Sequence, residues 1–530
     1  MSENWWRTGA IYHIYPRSFQ DSNGDGVGDL EGIRRRLDYL TWLGVDAIWI
    51  SPFYPSPMHD FGYDVADYCG VDPIFGSLDL FDALVADAHA RGLKVILDFV
   101  PNHTSIEHPW FRASRRGQGD KRDWYIWRDG APGGGPPNNW LAHFGGPAWT
   151  FDAARGQYYH HAFLPQQPDL NWRNPQVREA MFDVLRFWLR RGADGFRVDV
   201  ITHLIKDEEL RDNPPNPAWT ERQPAIEQLL QTHSSDHPQV HEVIARMRGV
   251  LEEFDDRLLI GEIYLPMERL IAYYGENLAG AHLPFNFQLI DAPWRAGAIG
   301  DLIEAYEAAL PEGAWPNWVL SNHDRPRIAA RVGDAQARVA AMLLLTLRGS
   351  PTLYYGDEIG IGGVEIPPDR IRDPWALREP EIAVGRDPER TPMQWDDSAF
   401  AGFSAVEPWL PLTPDWRNRN VAALRADPAS MLTLVRALLA ARRAHKSLSR
   451  GRWRRLESSG DLLAYERIYE DDHKIIVLNF GAVPLLWRAP AVLPKLTITL
   501  STHGDREGEP APVALHLRAD EGLVLDARKG

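Results

Sequence analysis

Over the first two-thirds of the chain, short near-continuous apolar runs alternate with longer stretches whose apolar positions recur at helical spacing. The short runs are Ala10–Tyr15, Ala47–Ser51, Val95–Val100, Gly195–Val200, Leu258–Ile263, Leu283–Phe287, Trp318–Asn322 and Pro351–Tyr355. Runs of this kind, separated by amphipathic segments, predict parallel strands covered on both faces. Between them, Leu30, Ile33, Leu37, Leu40 and Leu43 share one helical face that closes at Gly44. Ser77 caps a second helix with Phe81, Leu84, Val85 and Ala88 inward and Gly92 at its end. Asn174-Pro175 opens a third, burying Val177, Met181, Leu185 and Trp188, with Gly192 beyond it. Eight strands alternating with helices predict an α/β fold, a (β/α)8 TIM barrel.

The pattern also marks domains. Residues 1–103 read as the first part of the barrel, and 104–171 as an inserted subdomain after the third strand, far longer than an ordinary connection. Residues 172–450 read as the second part, with long loops near 203–237 and 360–428. Its last helix lies around Met431–Arg443. From 451 to 530 the runs Leu462–Ile468, Lys474–Phe480, Leu496–Leu500 and Leu523–Leu525 predict a C-terminal antiparallel β domain.

Composition narrows the partners. A formal charge of −16 argues against nucleic acid or an anionic membrane surface. The single cysteine, Cys69, precludes an intrachain disulfide and fits a cytoplasmic home, and it reads as a buried structural thiol. The start, Met1 to Trp6, has no basic and then apolar leader pattern, and no window is apolar enough to span a membrane. Twenty-one tryptophans suit a carbohydrate site, although core packing accounts for most of them. A monomer and a homo-oligomer are equally compatible with this composition.

The chemistry falls at strand ends: Asp98 with Asn102-His103, Arg197 with Asp199, Glu262, Asn322-His323-Asp324, and Asp357-Glu358. In a barrel these ends share one mouth, so all five groups are expected to converge there. Arg197 and Asp199 are two apart on a strand and point the same way, so the guanidinium is expected to lower the Asp199 pKa. Glu262, between Gly261 and Ile263, is expected to have a raised one.

In order along the chain, Tyr15-Pro-Arg-Ser-Phe19, Asp98-Phe-Val-Pro-Asn102-His103, Gln167-Pro-Asp-Leu-Asn171, Gly195-Phe-Arg-Val-Asp199-Val200, Gly261-Glu262, Asn322-His-Asp324 and Arg390-Thr-Pro-Met-Gln-Trp395 resemble glycoside hydrolase family 13. Within this α-amylase superfamily the chain is most similar to the bacterial α-glucosidase and oligo-1,6-glucosidase branch. The resemblance implies Asp199 as nucleophile, Glu262 as acid/base and Asp324 as the third carboxylate, the pair of carboxyls that a retaining glycosidase needs plus one. It implies His103 and His323 as donors to glucose hydroxyls and Tyr63 as a stacking face. Phe144, Phe163, Gln167 and Arg197 match further pocket positions. Asp60 and Arg390 match a pair that closes the pocket behind one sugar, which implies exo action. Val200 matches a residue associated with α-1,6 preference, whereas His203 departs from the oligo-1,6 pattern.

Asp21-Ser-Asn23-Gly-Asp25-Gly-Val27-Gly-Asp29 resembles the first half of an EF-hand loop, with Gly32 where the bidentate glutamate belongs. In relatives this loop implies a structural Ca2+ held by Asp21, Asn23, Asp25, the Val27 carbonyl and Asp29; a bare turn is the alternative. No organic cofactor is implied. The expected function is a retaining exo-α-glucosidase on short α-glucosides such as isomaltose, maltose or trehalose-like disaccharides. The same site also suits a transglucosidase or a sucrose or trehalose isomerase. A non-catalytic sugar-binding or transporter-associated subunit is a remote third reading, since the carboxylate set is complete.

Overall fold

The computed structural model describes residues 4–382, 385–491, 493 and 495–527. The leader reading of Met1–Trp6 falls partly outside them; Trp5–Thr8 form a short helix. Eight parallel strands make the central sheet: β1 (Ile11–Ile14), β2 (Ala47–Ile50), β3 (Lys94–Phe99), β4 (Gly195–Val198), β5 (Leu258–Ile263), β6 (Leu283–Asn286), β7 (Asn317–Val319) and β8 (Ser350–Tyr354). Their order is β7-β8-β1-β2-β3-β4-β5-β6, which leaves a seam between β6 and β7. Asn317 closes it with its side chain. Its Oδ1 accepts from the Asn286 N–H (2.9 Å) and its Nδ2 donates to the Pro284 carbonyl (2.6 Å). Pro284 has no N–H with which to extend a ladder.

Side-chain alternation separates the barrel interior from the helix-facing layer. Ile11, Ala47, Trp49, Ile96, Leu258, Ile260 and Val319 pack together inside. Their neighbours Tyr12, Ile48, Ile50, Val95, Leu97 and Leu259 pack outward against the helices. Gly195 is required where β4 meets β5, because a Cβ there would overlap the Leu258 carbonyl.

Each strand lies within two residues of its expected ends except β7, which stops at Val319, three residues before the expected Asn322. The helical stretch Leu30–Leu43 is two helices, Leu30–Arg35 and Leu37–Leu43, broken at Arg36. Asp29 caps the first through the Gly32 N–H, and Gly44 ends the second at φ 99°. Ser77 caps Leu78–Ala90, and Asn174 caps Pro175–Arg190 with proline at its first position.

The insertion after β3 contains a three-stranded antiparallel sheet, Trp127–Arg128, Gln157–His160 and Trp149–Asp152. It also has a small core of Trp140, Ala142, Ala148 and Trp149. The C-terminal sheet has six antiparallel strands. Leu463, Tyr465, Ile476 and Leu478 face the barrel's helices, while Leu462, Ala464, Ile475 and Val477 face a second core. Cys69, expected to be buried, is only half-buried, and its thiol is pushed up to about 11 by burial and by Asp67. Among the described residues no helix is long and apolar enough to cross a membrane.

Candidate active site

The strand ends open into a cavity of about 610 Å3, lined on one side by Asp60, Tyr63, His103, Asp199, Val200, Glu262, His323 and Asp324. Beneath it lies Arg197, fully buried. The period of β4 sends Arg197 and Asp199 to the same side, and one guanidinium serves three carboxylates. Its Nη1 donates to Asp98 Oδ1 (2.8 Å) and Asp199 Oδ1 (2.8 Å). Its Nη2 lies 2.8 Å from Glu262 Oε1, in an ion-pair contact rather than an aligned hydrogen bond.

That sharing corrects the expectation for Asp199. Burial, followed by the charge of Glu262, raises its carboxyl well above the ordinary range, and Arg197 does not reverse the shift. Glu262 is raised as expected, again by burial, with Arg197 opposing. Asp98 is pushed up to about 6 by burial against the pull of Arg197. Three carboxyls around one buried cation carry more negative charge than Arg197 balances, which favours a proton shared within the cluster.

Val200 follows Asp199 with φ 36° and ψ 48°, a left-handed conformation that is costly for a β-branched residue. The turn aims its N–H at Glu262 Oε2 (2.7 Å). Backbone strain therefore orients the second carboxyl.

Asp324 behaves differently. Burial opposes its ionisation, but His323 when protonated, Arg386, Arg390 and Arg197 hold it well below the usual carboxylate range. Arg386 Nη1 and Arg390 Nη2 lie 3.1 and 2.9 Å from its Oδ1.

The expected Asp60–Arg390 pair is corrected too. Asp60 pairs with Arg386 at 2.9 Å, and its carboxyl is pushed up to about 6 by burial despite both arginines. Arg390 lies one layer back, donating to the His323 carbonyl (2.9 Å) and to Asp324. Asp373 fixes Arg386 by accepting from its Nη2 (2.7 Å), its Nε and its backbone N–H.

Tyr63 lies parallel to His323, ring centres 5.3 Å apart, with its hydroxyl 2.7 Å from His323 Nε2 and 3.2 Å from Asp98. His103 Nε2 is 3.0 Å from the Tyr63 carbonyl and 3.2 Å from Gln167 Nε2. Gln167 also donates to Asp60 at 3.2 Å. Burial lowers His103 to about 4, so it is neutral. Phe163 stacks on His143 at 4.8 Å, and Phe144 lies under the Arg386 guanidinium at 4.7 Å. His203 reaches His143, Nε2 to Nε2, at 3.0 Å across the cavity wall.

Asp357 and Glu358 do not join the mouth as expected. Glu358 accepts hydroxyls from Tyr12 (2.6 Å) and Tyr39 (2.7 Å), and Asp357 lies 3.6 Å from Arg327. Two residues past the end of β8, Gly356 at φ 86° turns both carboxyls away.

The sequence reading missed Arg386, Asp373, His143, Tyr264, Arg325 and Trp375. Arg386 lies one turn before Arg390, and nothing in the pattern distinguishes the two arginines. The cavity-lining residues 216–235 have no strand or helix periodicity to place them.

The EF-like loop lies elsewhere. Asp21 Oδ1 accepts from Asn23 and Gly24, its Oδ2 accepts from Gly26 and Ser404, Asn23 Oδ1 from Asp25, and Asp25 Oδ1 from Val27. The loop is thus an oxygen-lined coil closed by its own amides. Among the described residues no group of three or more His, Cys, Asp or Glu is gathered for a metal.

An alpha-amylase catalytic-domain family model matches residues 13–451. A "Probable alpha-glucosidase" of Rhizobium meliloti (strain 1021) is 44% identical over 496 residues, 90% of each chain. The crystal structure of an alpha-glucosyl transfer enzyme, XgtA, is similar with a TM-score of 0.94 at 39% identity, covering 99% of this chain and 100% of that one. The trehalulose synthase MutB from Pseudomonas mesoacidophila MX-45 superposes with a TM-score of 0.91 at 33% identity, covering both chains completely.

Proposed function

The chain belongs to the alpha-amylase family, and from that membership and the cavity above we propose a retaining, exo-acting α-glucosidase of short α-glucosides. It is a glycoside hydrolase of the α-glucosidase type. In the proposed reaction Asp199 attacks the anomeric carbon while Glu262, holding the cluster's proton, protonates the departing oxygen. The glucosyl ester is then hydrolysed by water that gives its proton to Glu262. Asp324, held ionised by Arg386 and Arg390, grips sugar hydroxyls and offsets positive charge on the oxocarbenium-like transition state. One guanidinium bridging Asp199 and Glu262 supports the short carboxyl separation that retention needs.

The observation that carries exo action is the Asp60–Arg386–Asp324 ion-pair chain, which lies across one end of the cavity beside Tyr63 and His323. A panel of glucose disaccharides of every linkage, with product anomers followed by NMR, tests the reading. Release of the α-anomer from a single terminal glucose supports it. A β-anomer, or a ladder of products from starch, refutes it.

A second reading, transfer or isomerisation by the same glucosyl-enzyme, is favoured by two structural neighbours, one a glucosyl transfer enzyme and one a trehalulose synthase. The same panel decides it if run at high disaccharide, where dominant transfer product or isomer overturns the hydrolase assignment.

For the EF-like loop we propose a structural calcium held by Asp21, Asn23, Asp25, the Val27 carbonyl and Asp29. An all-oxygen donor set with ligands at alternating positions suits a hard cation. There the ion would only brace the loop after β1. With one cysteine in the whole chain, a cytoplasmic location is also part of the proposal.

A further inference from the structure

We infer that the end of the barrel opposite the active-site mouth carries a binding site for a phosphate-type oxyanion, which ties the last barrel helix to the starts of β8, β1 and β2. The inference does not depend on the glucosidase reading.

Buried charge points to it. Arg442, on the helix Met431–Ala444, is 2% exposed. Its Nη1 donates to the carbonyls of Leu347 (2.9 Å), Leu448 (3.0 Å) and Leu345 (3.3 Å), and its Nη2 to the Gly349 carbonyl. Its Nε has no hydrogen-bond partner. Each of these acceptors is a neutral carbonyl, and among the described residues no carboxylate pairs with it. Arg467, fully buried, repeats the pattern, donating to the carbonyls of Gly451 (2.8 Å) and Thr346. Burial pushes Arg467 down to about 9, with the charge of Arg442 adding to the shift. Burial pushes Arg442 down to about 10, with Asp46 opposing. Two buried guanidinium ions that repel each other are costly without a counter-charge, and an anion bound beside them offsets that cost.

A cavity of about 210 Å3 opens beside Arg442. Arg443, Lys446 and Arg450 also line it, Thr8 adds a hydroxyl, and Asp46 is the one acid on its wall among the described residues. That acid is already engaged: its Oδ1 lies 2.9 Å from Arg443 Nη2, and its Oδ2 accepts from the Ala10 N–H (2.9 Å). Lys446, whose ammonium lies 5.5 Å from the centre of the Tyr469 ring, has no carboxylate partner among the described residues. In a chain of formal charge −16 this excess of cations is local, and it selects an anion. Guanidinium and ammonium donors suit phosphate oxygens. The volume admits free phosphate or the phosphate of a small ester, which present the same oxyanion.

The placement says what such a ligand does. Ala10 and Asp46 stand immediately before β1 and β2, and Gly349, held by Arg442, immediately before β8. Asp199, Glu262 and Asp324 lie toward the other ends of the barrel strands. A bound anion therefore braces the barrel away from the chemistry, and acts on stability rather than rate.

The test is isothermal titration and thermal unfolding of the full chain with inorganic phosphate, glycerol phosphate and chloride at equal ionic strength. Phosphate or its ester should bind saturably and raise the midpoint by at least about 2 °C, chloride should do neither, and kcat/KM on maltose should change less than about twofold. Lys446→Glu should weaken binding at least about tenfold. Asp46→Asn removes the one acid and should tighten binding about threefold, the opposite of what a purely structural role for Asp46 gives. Tighter binding of the ester than of phosphate assigns the site to an ester, and the reverse assigns it to free phosphate. No saturable binding of either, equal responses to phosphate and chloride, wild-type affinity in Lys446→Glu, or weaker binding by Asp46→Asn overturns the inference.

Discussion

If Arg386 is the partner that holds Asp60 in place, the energetic coupling between them should exceed that between Asp60 and Arg390. Two double-mutant cycles measure this, one combining Asp60→Asn with Arg386→Gln and the other combining it with Arg390→Gln. The Asp60–Arg386 contact is 2.9 Å, so unscreened attraction at an effective dielectric constant of ~20 is about 6 kcal/mol. Most of that is offset by desolvation, since the Asp60 carboxyl is pushed up to about 6 even with both arginines beside it. A net coupling of about 2 kcal/mol in kcat/KM remains, roughly 30-fold. Arg390 has no direct contact with Asp60 and engages Asp324 and the His323 carbonyl, so its coupling to Asp60 should stay below about 0.5 kcal/mol. The assay is kcat/KM on maltose at pH 7.5, where Asp60 is ionised, with unfolding curves for every variant. A larger coupling for Arg390 than for Arg386 would refute the assignment.

Asp199→Asn should lower kcat by at least about 10³-fold while leaving the unfolding midpoint near wild type; substantial residual turnover sinks the nucleophile assignment. Chelation of calcium should lower the thermal midpoint more than the rate at low temperature, and an enzyme indifferent to chelator in both respects argues for a metal-free turn. Asp357, pushed up to about 7 by burial, binds its proton more tightly folded than unfolded, where it titrates near 4. Stability from that proton is therefore complete below about pH 4 and is lost as pH rises through about 7. Asp357→Asn should gain on wild type by a few kcal/mol between pH 5 and pH 8, and a constant difference across that range contradicts the shift.

Much of the architecture could be read directly because each strand is a run of apolar residues bounded by charge. Helix ends were equally plain where a capping side chain does local work, as at Ser77 and Asn174. The break at Arg36 was not, because Ile33 and Leu37 keep the same apolar face on both sides of it. In the site, Arg197, Asp199 and Glu262 were legible from strand alternation. The upward shift of the Asp199 pKa was not, because it depends on how many carboxylates share one guanidinium, a three-dimensional count. Arg386 and the cavity-lining residues of 216–235 lie in irregular loops, where no period relates a residue to a direction. Asp357 and Glu358 were misplaced for a similar local reason, since the left-handed turn at Gly356 redirects them after the strand has ended.

The seam of the barrel has a mechanical consequence. Seven of its joints are continuous ladders, and the eighth is a clasp made by one amide side chain, that of Asn317. A hoop under strain yields first at its clasp. The two sides of this one lead to different working parts: β7 runs on to Asp324, and β6 lies against β5, which carries Glu262. The joint therefore lies between the strand that leads to Asp324 and the pair of strands that includes Glu262. Among the described residues, a single asparagine is thus the one side chain that ties the strand leading to Asp324 to the strand beside Glu262.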